Sequence, residues 1–142
     1  MLKLYQPNWS WGEDTDKWLN RIFEGKSILN FPCGKSNVGY RVDADKSVNP
    51  EILADLDNHP FKHNSFDVVI CDPPFSKYSR FKWLTKLSKI AKTDLLISTP
   101  YMRPYISNFK LEHTWLSQRD SNFYLRLWLH FKKKNGDLTL YE

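Results

Sequence analysis

Apolar and polar positions follow two rhythms along this chain, and the rhythms divide it into short elements. In DTDKWLNRIFE (14–24), Trp18 and Ile22, and Leu19 and Phe23, recur four apart. That spacing predicts a short helix with Asp14 as its cap. SILNF (27–31), GYRVDAD (39–45) and EILADL (51–56) predict three short strands that run into turn-forming or acidic residues. SFDVVIC (65–71) predicts the strongest strand, its apolar residues VVIC continuous rather than alternating, the pattern of a strand covered on both faces of a parallel sheet. SKYSRFKWLTKLSKIAK (76–92) predicts the longest helix. Phe81, Leu84, Leu87 and Ile90/Ala91 make its apolar face, and Lys82, Lys86 and Lys89 line another. TDLLIST (93–99) predicts a fifth strand. FKLEHTWLS (109–117) and NFYLRLWLHF (122–131) predict a terminal hairpin closed at QRDS. In its second strand Phe123, Leu125, Leu127, Leu129 and Phe131 share one face; Tyr124, Arg126, Trp128 and His130 share the other.

Strands with short connections, one long helix, a strand and a hairpin predict an α/β fold, its sheet mostly parallel with an antiparallel C-terminal edge. One domain is expected over 1–142, with an N-terminal arm at 1–13 and a C-terminal tail at 135–142. Only residues 32–38 separate the first two strands. A parallel crossover usually takes about a dozen residues or more. The first crossover helix is therefore expected to be shortened or missing. In open α/β sheets ligands bind beyond the carboxyl ends of the strands. Four such ends carry candidate residues: Cys33-Gly34, Asp43, Asp55 and Asp72.

Composition narrows this picture modestly. The chain has 142 residues, an ordinary size for one core. No run approaches the roughly 18 apolar residues of a membrane span, and the opening residues carry no apolar signal segment. Cys33 and Cys71 do not make a disulfide framework. An intracellular, cytoplasmic protein without a membrane partner is expected. The net charge of +5 permits an anionic partner. The six tryptophans serve either a dense core or surfaces for stacking on bases.

The chemistry concentrates in VVICDPPF (68–75). Pro73 and Pro74 lack N–H donors and stiffen the chain as it leaves the strand. Their carbonyls, the Asp72 carboxylate and the flat ring of Phe75 together suit a planar ligand bearing an NH2 group, such as a nucleobase. The lone pair of such an amine is delocalised into its ring. Two acceptors on its hydrogens favour electron density on nitrogen and hold that nitrogen in line with an electrophile. The plainer reading is a Pro-Pro strand end with Asp72 capping the following helix.

DPPF after an apolar strand resembles the D-P-P-[YFW] motif of class I S-adenosylmethionine-dependent amino-methyltransferases, which act mainly on adenine N6 and related exocyclic amines. SILNFPCGKSNVG is similar to that family's first motif, and Cys33-Gly34 matches its C-G pair. The resemblance covers about residues 15–134 and implies a single-domain Rossmann-like methyltransferase sheet with S-adenosyl-L-methionine as cofactor. It implies that Asn30, Pro32, Cys33 and Gly34 border the methionine part of the cofactor. Asp43 falls where the family places an acid on the ribose hydroxyls, and Asp55, with Leu56 beside it, where a side chain contacts the adenine. It implies that Asp72 and the Pro73 carbonyl hold the target amine, with Pro74 stiffening the motif and Phe75 stacking on the base. Tyr78 or Tyr101 is placed to help clamp it. The expected partner is nucleic acid, DNA before RNA, with a homodimer or a specificity partner as further possibilities. In duplex DNA the base must be flipped out.

The chain departs from the family at three positions. Pro32 replaces the first loop glycine, Ser36 a later one, and Asn30 stands where an acid is usual. Two alternatives to adenine N6 therefore stand: a catalytically degenerate nucleic-acid-binding or partner subunit, and a methyltransferase on RNA, cytosine N4 or a protein amide. Other chemistries fit less well. GKS (34–36) needs glycine at position 29 to make a phosphate-binding loop, and Leu29 is there. Asp57, His59 and His63 suggest a metal, but Pro60 breaks the helix that would align the two histidines, so no metal is expected. His113 and His130 read as surface or half-buried. Trp9 and Trp11 suit either cofactor cover or N-terminal packing.

Overall fold

The computed structural model describes residues 13–74, 82–99, 104–118 and 125–134. The elements run α1 (Glu13–Ile22), β1 (Ile28–Asn30), β2 (Tyr40–Asp43), a 3-10 turn (Lys46–Val48), β3 (Ile52–Leu53), β4 (Phe66–Cys71), α2 (Lys82–Ser88), β5 (Ala91–Thr99), β6 (Phe109–Gln118) and β7 (Leu125–Lys133). They build one seven-stranded sheet in the order β3-β2-β1-β4-β5-β7-β6. The first five strands are parallel, and β7 runs antiparallel to both β5 and β6. The expected parallel sheet with an antiparallel C-terminal hairpin is the observed one. The QRDS turn lies outside the described residues from Arg119 on, as do Phe75, Tyr78, Tyr101, Trp9 and Trp11.

The continuous apolar run of β4 follows from burial on both faces. Val69 and Cys71 pack with Leu29, Leu95, Ile97, Leu129 and Phe131 under Trp83, Leu84 and Leu87 of α2. Val68 and Ile70 pack with Ile28, Leu96 and Trp128 under Leu19 of α1 and Phe23 just after it. Burying each of those two side chains contributes about 2 kcal/mol relative to leaving it in water. Four tryptophans are core or core-flanking: Trp83 and Trp128 are fully buried, and Trp18 and Trp115 pack against the α1 layer.

Three expectations change, two of them at the ends of helices. Asp14 lies inside the first turn of α1, which already begins at Glu13. The second helix ends at Ser88 rather than at 92, because Ile90 and Ala91 turn into the sheet. There Lys89 and Ile90 accept through their carbonyls from Asn64 and Phe66, and Ala91 pairs with Phe66. An apolar i, i+3 repeat satisfies a helix face or a turn into a buried strand equally well, and strand pairing decided it. His130, expected to be surface or half-buried, is buried, because both faces of β7 are covered.

The first crossover helix is missing, as expected. Residues 31–39 connect β1 to β2 without a helix, yet the two strands pair in parallel at Leu29↔Tyr40 and Asn30↔Arg41. Side-chain hydrogen bonds do the helix's work. The Arg41 guanidinium donates to the carbonyls of Gly34, Ser36, Val48 and Asn49 at 2.6–2.9 Å, tying the loops on both sides of β2 together. Gly39 is required at the return: its φ is +60°, and a Cβ there would lie 2.5 Å from the Ile28 carbonyl oxygen.

Candidate active site at the strand ends

Strand order reverses between β1 and β4, which run side by side with their connections leaving in opposite directions. This is the switch point at which open α/β sheets bind ligands. Side chains alternate along a strand, so the parity of each residue fixes its face. Ile28 and Ile70 face α1, and so do Asn30 and Asp72, two residues on. Ser98 follows Leu96 on the same face of β5, and Arg126 precedes Trp128 on the same face of β7. Four strand ends thus deliver polar side chains to one rim, on the α1 side.

Asn30 is fully buried. Its amide nitrogen donates to the Ser36 hydroxyl (3.0 Å) and the Val38 carbonyl (3.1 Å). Its oxygen Oδ1 is buried with no partner among the described residues. An acceptor left this way is costly unless something donates to it. Next to it stands a residue the sequence reading overlooked. Asp16, on α1, accepts from the Ser36 hydroxyl at 2.7 Å and from the Asn37 amide at 3.1 Å. It was hidden because an acid in the first turn of a helix reads as solvent-facing; only the docking of α1 on the sheet brings it to the loop.

Asp43 accepts from the Gly34 amide at 2.8 Å and from the Asp45 amide at 2.9 Å. It closes the loop after β1 onto the end of β2. Three more loop amides are committed: Cys33 donates to Val42, Ser36 to Cys33, and Val38 to the Ser36 hydroxyl. Pro32 is half-buried, and Cys33 is buried with its thiol pushed up to about 11 by burial, partly offset by the Arg41 charge. Cys71 is likewise raised by burial and by Asp72. Both thiols stay protonated at neutral pH, so neither is an activated nucleophile.

Asp55 is exposed and accepts from the Asp57 amide, making a tight turn after β3. Leu56 turns inward and is part of the core beneath that turn. Asp72 is bonded by the Arg126 guanidinium, which also donates to the Ser98 hydroxyl at 3.0 Å. Pro73 is buried and Pro74 exposed. The structure thus brings Asn30, Asp43 and Asp72 to one end of the sheet. It adds Asp16, Ser98 and Arg126.

Elsewhere the chemistry is thinner. His59 is half-buried in an aromatic group with Phe31 and Phe61, and burial together with Lys86 lowers its pKa. No group of three metal-ligating side chains occurs among the described residues, and no described helix is long and apolar enough to cross a membrane. A concavity of about 320 Å3, bordered by Asn64, Lys89, Tyr105, Phe109 and Lys133, opens at the opposite end of the strands from Asp72. The rim where the strand-end carboxylates converge is the better candidate site, because its chemistry comes from several strands at a switch point.

No protein-family model and no curated protein sequence matches this chain. Solved structures do. Magnesium protoporphyrin IX methyltransferase from Synechocystis PCC 6803, determined with bound S-adenosylmethionine, superposes with a TM-score of 0.58 over 85% of this chain and 77% of its own, at 16% identity. The fold is that of a Rossmann-like methyltransferase. The putative methyltransferase yhhF from Escherichia coli agrees, with a TM-score of 0.60 at 11% identity, over 94% of this chain and 98% of its own. The likeness in fold holds although three connections, β1 to β2, β2 to β3 and β3 to β4, carry no α-helix.

Proposed function

We propose that this protein is an S-adenosylmethionine-dependent methyltransferase acting on an exocyclic amine of a nucleobase, adenine N6 in DNA first. The observation that carries the reading is the convergence of Asn30, Asp43 and Asp72 on one rim of a methyltransferase sheet, at its switch point. The residues present suit the donor-rich parts of the cofactor. Asn30 Oδ1 is a buried acceptor that suits an ammonium group, with the Asp16 carboxylate close by. Asp43 has acceptor capacity beyond its two amide bonds, since a carboxylate offers about four acceptor positions. Bound there, the cofactor supplies an electrophilic methyl group. Asp72 and the Pro73 carbonyl hold the hydrogens of the target amine and orient its nitrogen; Phe75 stacks on the base.

A second reading has its own support. The loop amides of Cys33, Gly34, Ser36, Asn37 and Val38 are all engaged inside the protein. A loop so occupied suits a partner subunit that binds nucleic acid without the cofactor, in a salt-dependent way.

Calorimetric titration with S-adenosylhomocysteine separates the two. One-site binding, weakened at least tenfold in Asp43→Ala, is the expected result. No heat up to millimolar ligand sinks the enzyme reading and leaves the binding subunit.

A further inference from the structure

The Asp72 carboxylate is not left to solvent. Its side chain is 9% exposed and that of Arg126 14%, and the two form an ion pair. Arg126 sits on β7, and β5 lies between β7 and β4. Adjacent strands are about 4.8 Å apart, so this side chain reaches across one whole strand. On the way it donates to Ser98 of that intervening strand. A planar fork of five N–H donors serves two acceptors at fixed angles; a lysine ammonium does so less rigidly. Its position follows from register: Leu127 pairs with Thr99 and Trp128 with Ser98, which leaves Arg126 just past the end of β5. Cys71 pairs with Ile97, so Asp72 is level with Ser98 and Trp128, and the Arg126 side chain, two residues further along, reaches back towards Ser98 and Asp72.

We propose that Arg126 is a positioning residue for Asp72, and that by balancing its charge it fits the site to a neutral, conjugated amine rather than an alkylammonium. The inference rests on the methyl-transfer reading above. A buried carboxylate with no cation is costly and draws in any ammonium within reach. An alkylammonium has its lone pair bound to a proton and offers nothing to an electrophile. A nucleobase amine is uncharged at neutral pH and needs an acceptor held in place. Arg126 donates to one oxygen of the carboxylate and is itself held by the Ser98 hydroxyl, which anchors that oxygen to β5.

The test uses the full-length protein, an adenine-containing DNA oligonucleotide and radiolabelled cofactor. Arg126→Met is expected to lower kcat about 100-fold, while KM for the oligonucleotide and Kd for S-adenosylhomocysteine stay within threefold. Arg126→Lys is expected to recover part of the loss. Arg126→Met added to Asp72→Ala is expected to cost nothing further, since the two act as one unit. A lysine-containing peptide is expected to accept no methyl group from the wild type. Full kcat in Arg126→Met, or a loss confined to cofactor binding, overturns the inference while leaving methyl transfer standing. No transfer by the wild type to adenine, cytosine or guanine oligonucleotides overturns the reading on which it rests. Should Arg126→Met fail to fold, Arg126→Lys and Arg126→Gln decide: equal activity of the two overturns the inference.

Discussion

Two aspartates on the same face of neighbouring strands make an instructive pair. Asp72 ends β4 and Asp94 lies near the start of β5, and each is paired with a side chain of β7. Arg126 and His130, their partners, are four residues apart on one face of that strand. Yet the surroundings differ. Asp94 is 1% exposed and accepts from His130 (2.7 Å), Lys26 (2.7 Å) and Thr93 (2.6 Å). His130 is stacked in turn on Trp115, with ring centroids 5.7 Å apart, and Phe23 meets it edge-on. Every contact of Asp94 joins pieces of the fold: the turn after α1, β5 and β7. Asp72 lies where the sheet stops and two prolines follow. A carboxylate whose partners all belong to the fold fastens the structure; under the proposed function, the one at the strand end serves a ligand. Ion pairing alone does not identify a site. Its position along the strand does.

The contrast breaks first on substitution. Asp72→Ala is expected to abolish methyl transfer, by 1,000-fold or more, with S-adenosylhomocysteine affinity within threefold of the wild type. Undiminished turnover removes Asp72 from the mechanism. Asp94→Ala should do the reverse. It strands the His130 and Lys26 donors in or near the core and is expected to cost about 3 kcal/mol, measured by urea unfolding. Transfer per folded molecule should hardly change. A loss below about 1 kcal/mol contradicts the fastening role.

Acid sharpens the same contrast. Burial pushes the Asp94 carboxyl up, but the hydrogen bonds from His130, Lys26 and Thr93 outweigh it and hold the group well below its ordinary value. A carboxyl lowered in the folded state stabilises fully above its unfolded pKa, near 3.9, and that contribution is lost as pH falls through the folded value. Unfolding free energy attributable to Asp94 should therefore be flat from pH 7 to about 5. It should decline below about 4, and Asp94→Asn should flatten that decline. An unchanged acid slope in Asp94→Asn removes Asp94 as its source. The smallest effect belongs to Lys26→Met. The lysine side chain is 39% exposed, so screening by solvent limits its pairing with Asp94 to about 1 kcal/mol or less. A larger loss by urea unfolding would mean that Lys26 does more than pair.

The sequence by itself determined the layering. The unbroken apolar run 68–71 required cover on both faces, the alternation of 125–131 marked two faces of one strand, and the short 32–38 connection pointed to a shortened or missing helix. The strand-end acids Asp43 and Asp72 were legible because each directly follows the apolar residues of a predicted strand, where ligands of open α/β sheets bind. Tertiary structure decided which polar side chains meet. Asp16 belongs to a helix and Ser36 to a loop 20 residues away, and only the docking of α1 brings them together. Arg126 and Asp72 are 54 residues apart and meet through the register of an antiparallel pair beside a parallel one. Periodicity reports the burial of each residue along its own strand. It carries no record of strand order, and strand order chooses the partner across the sheet.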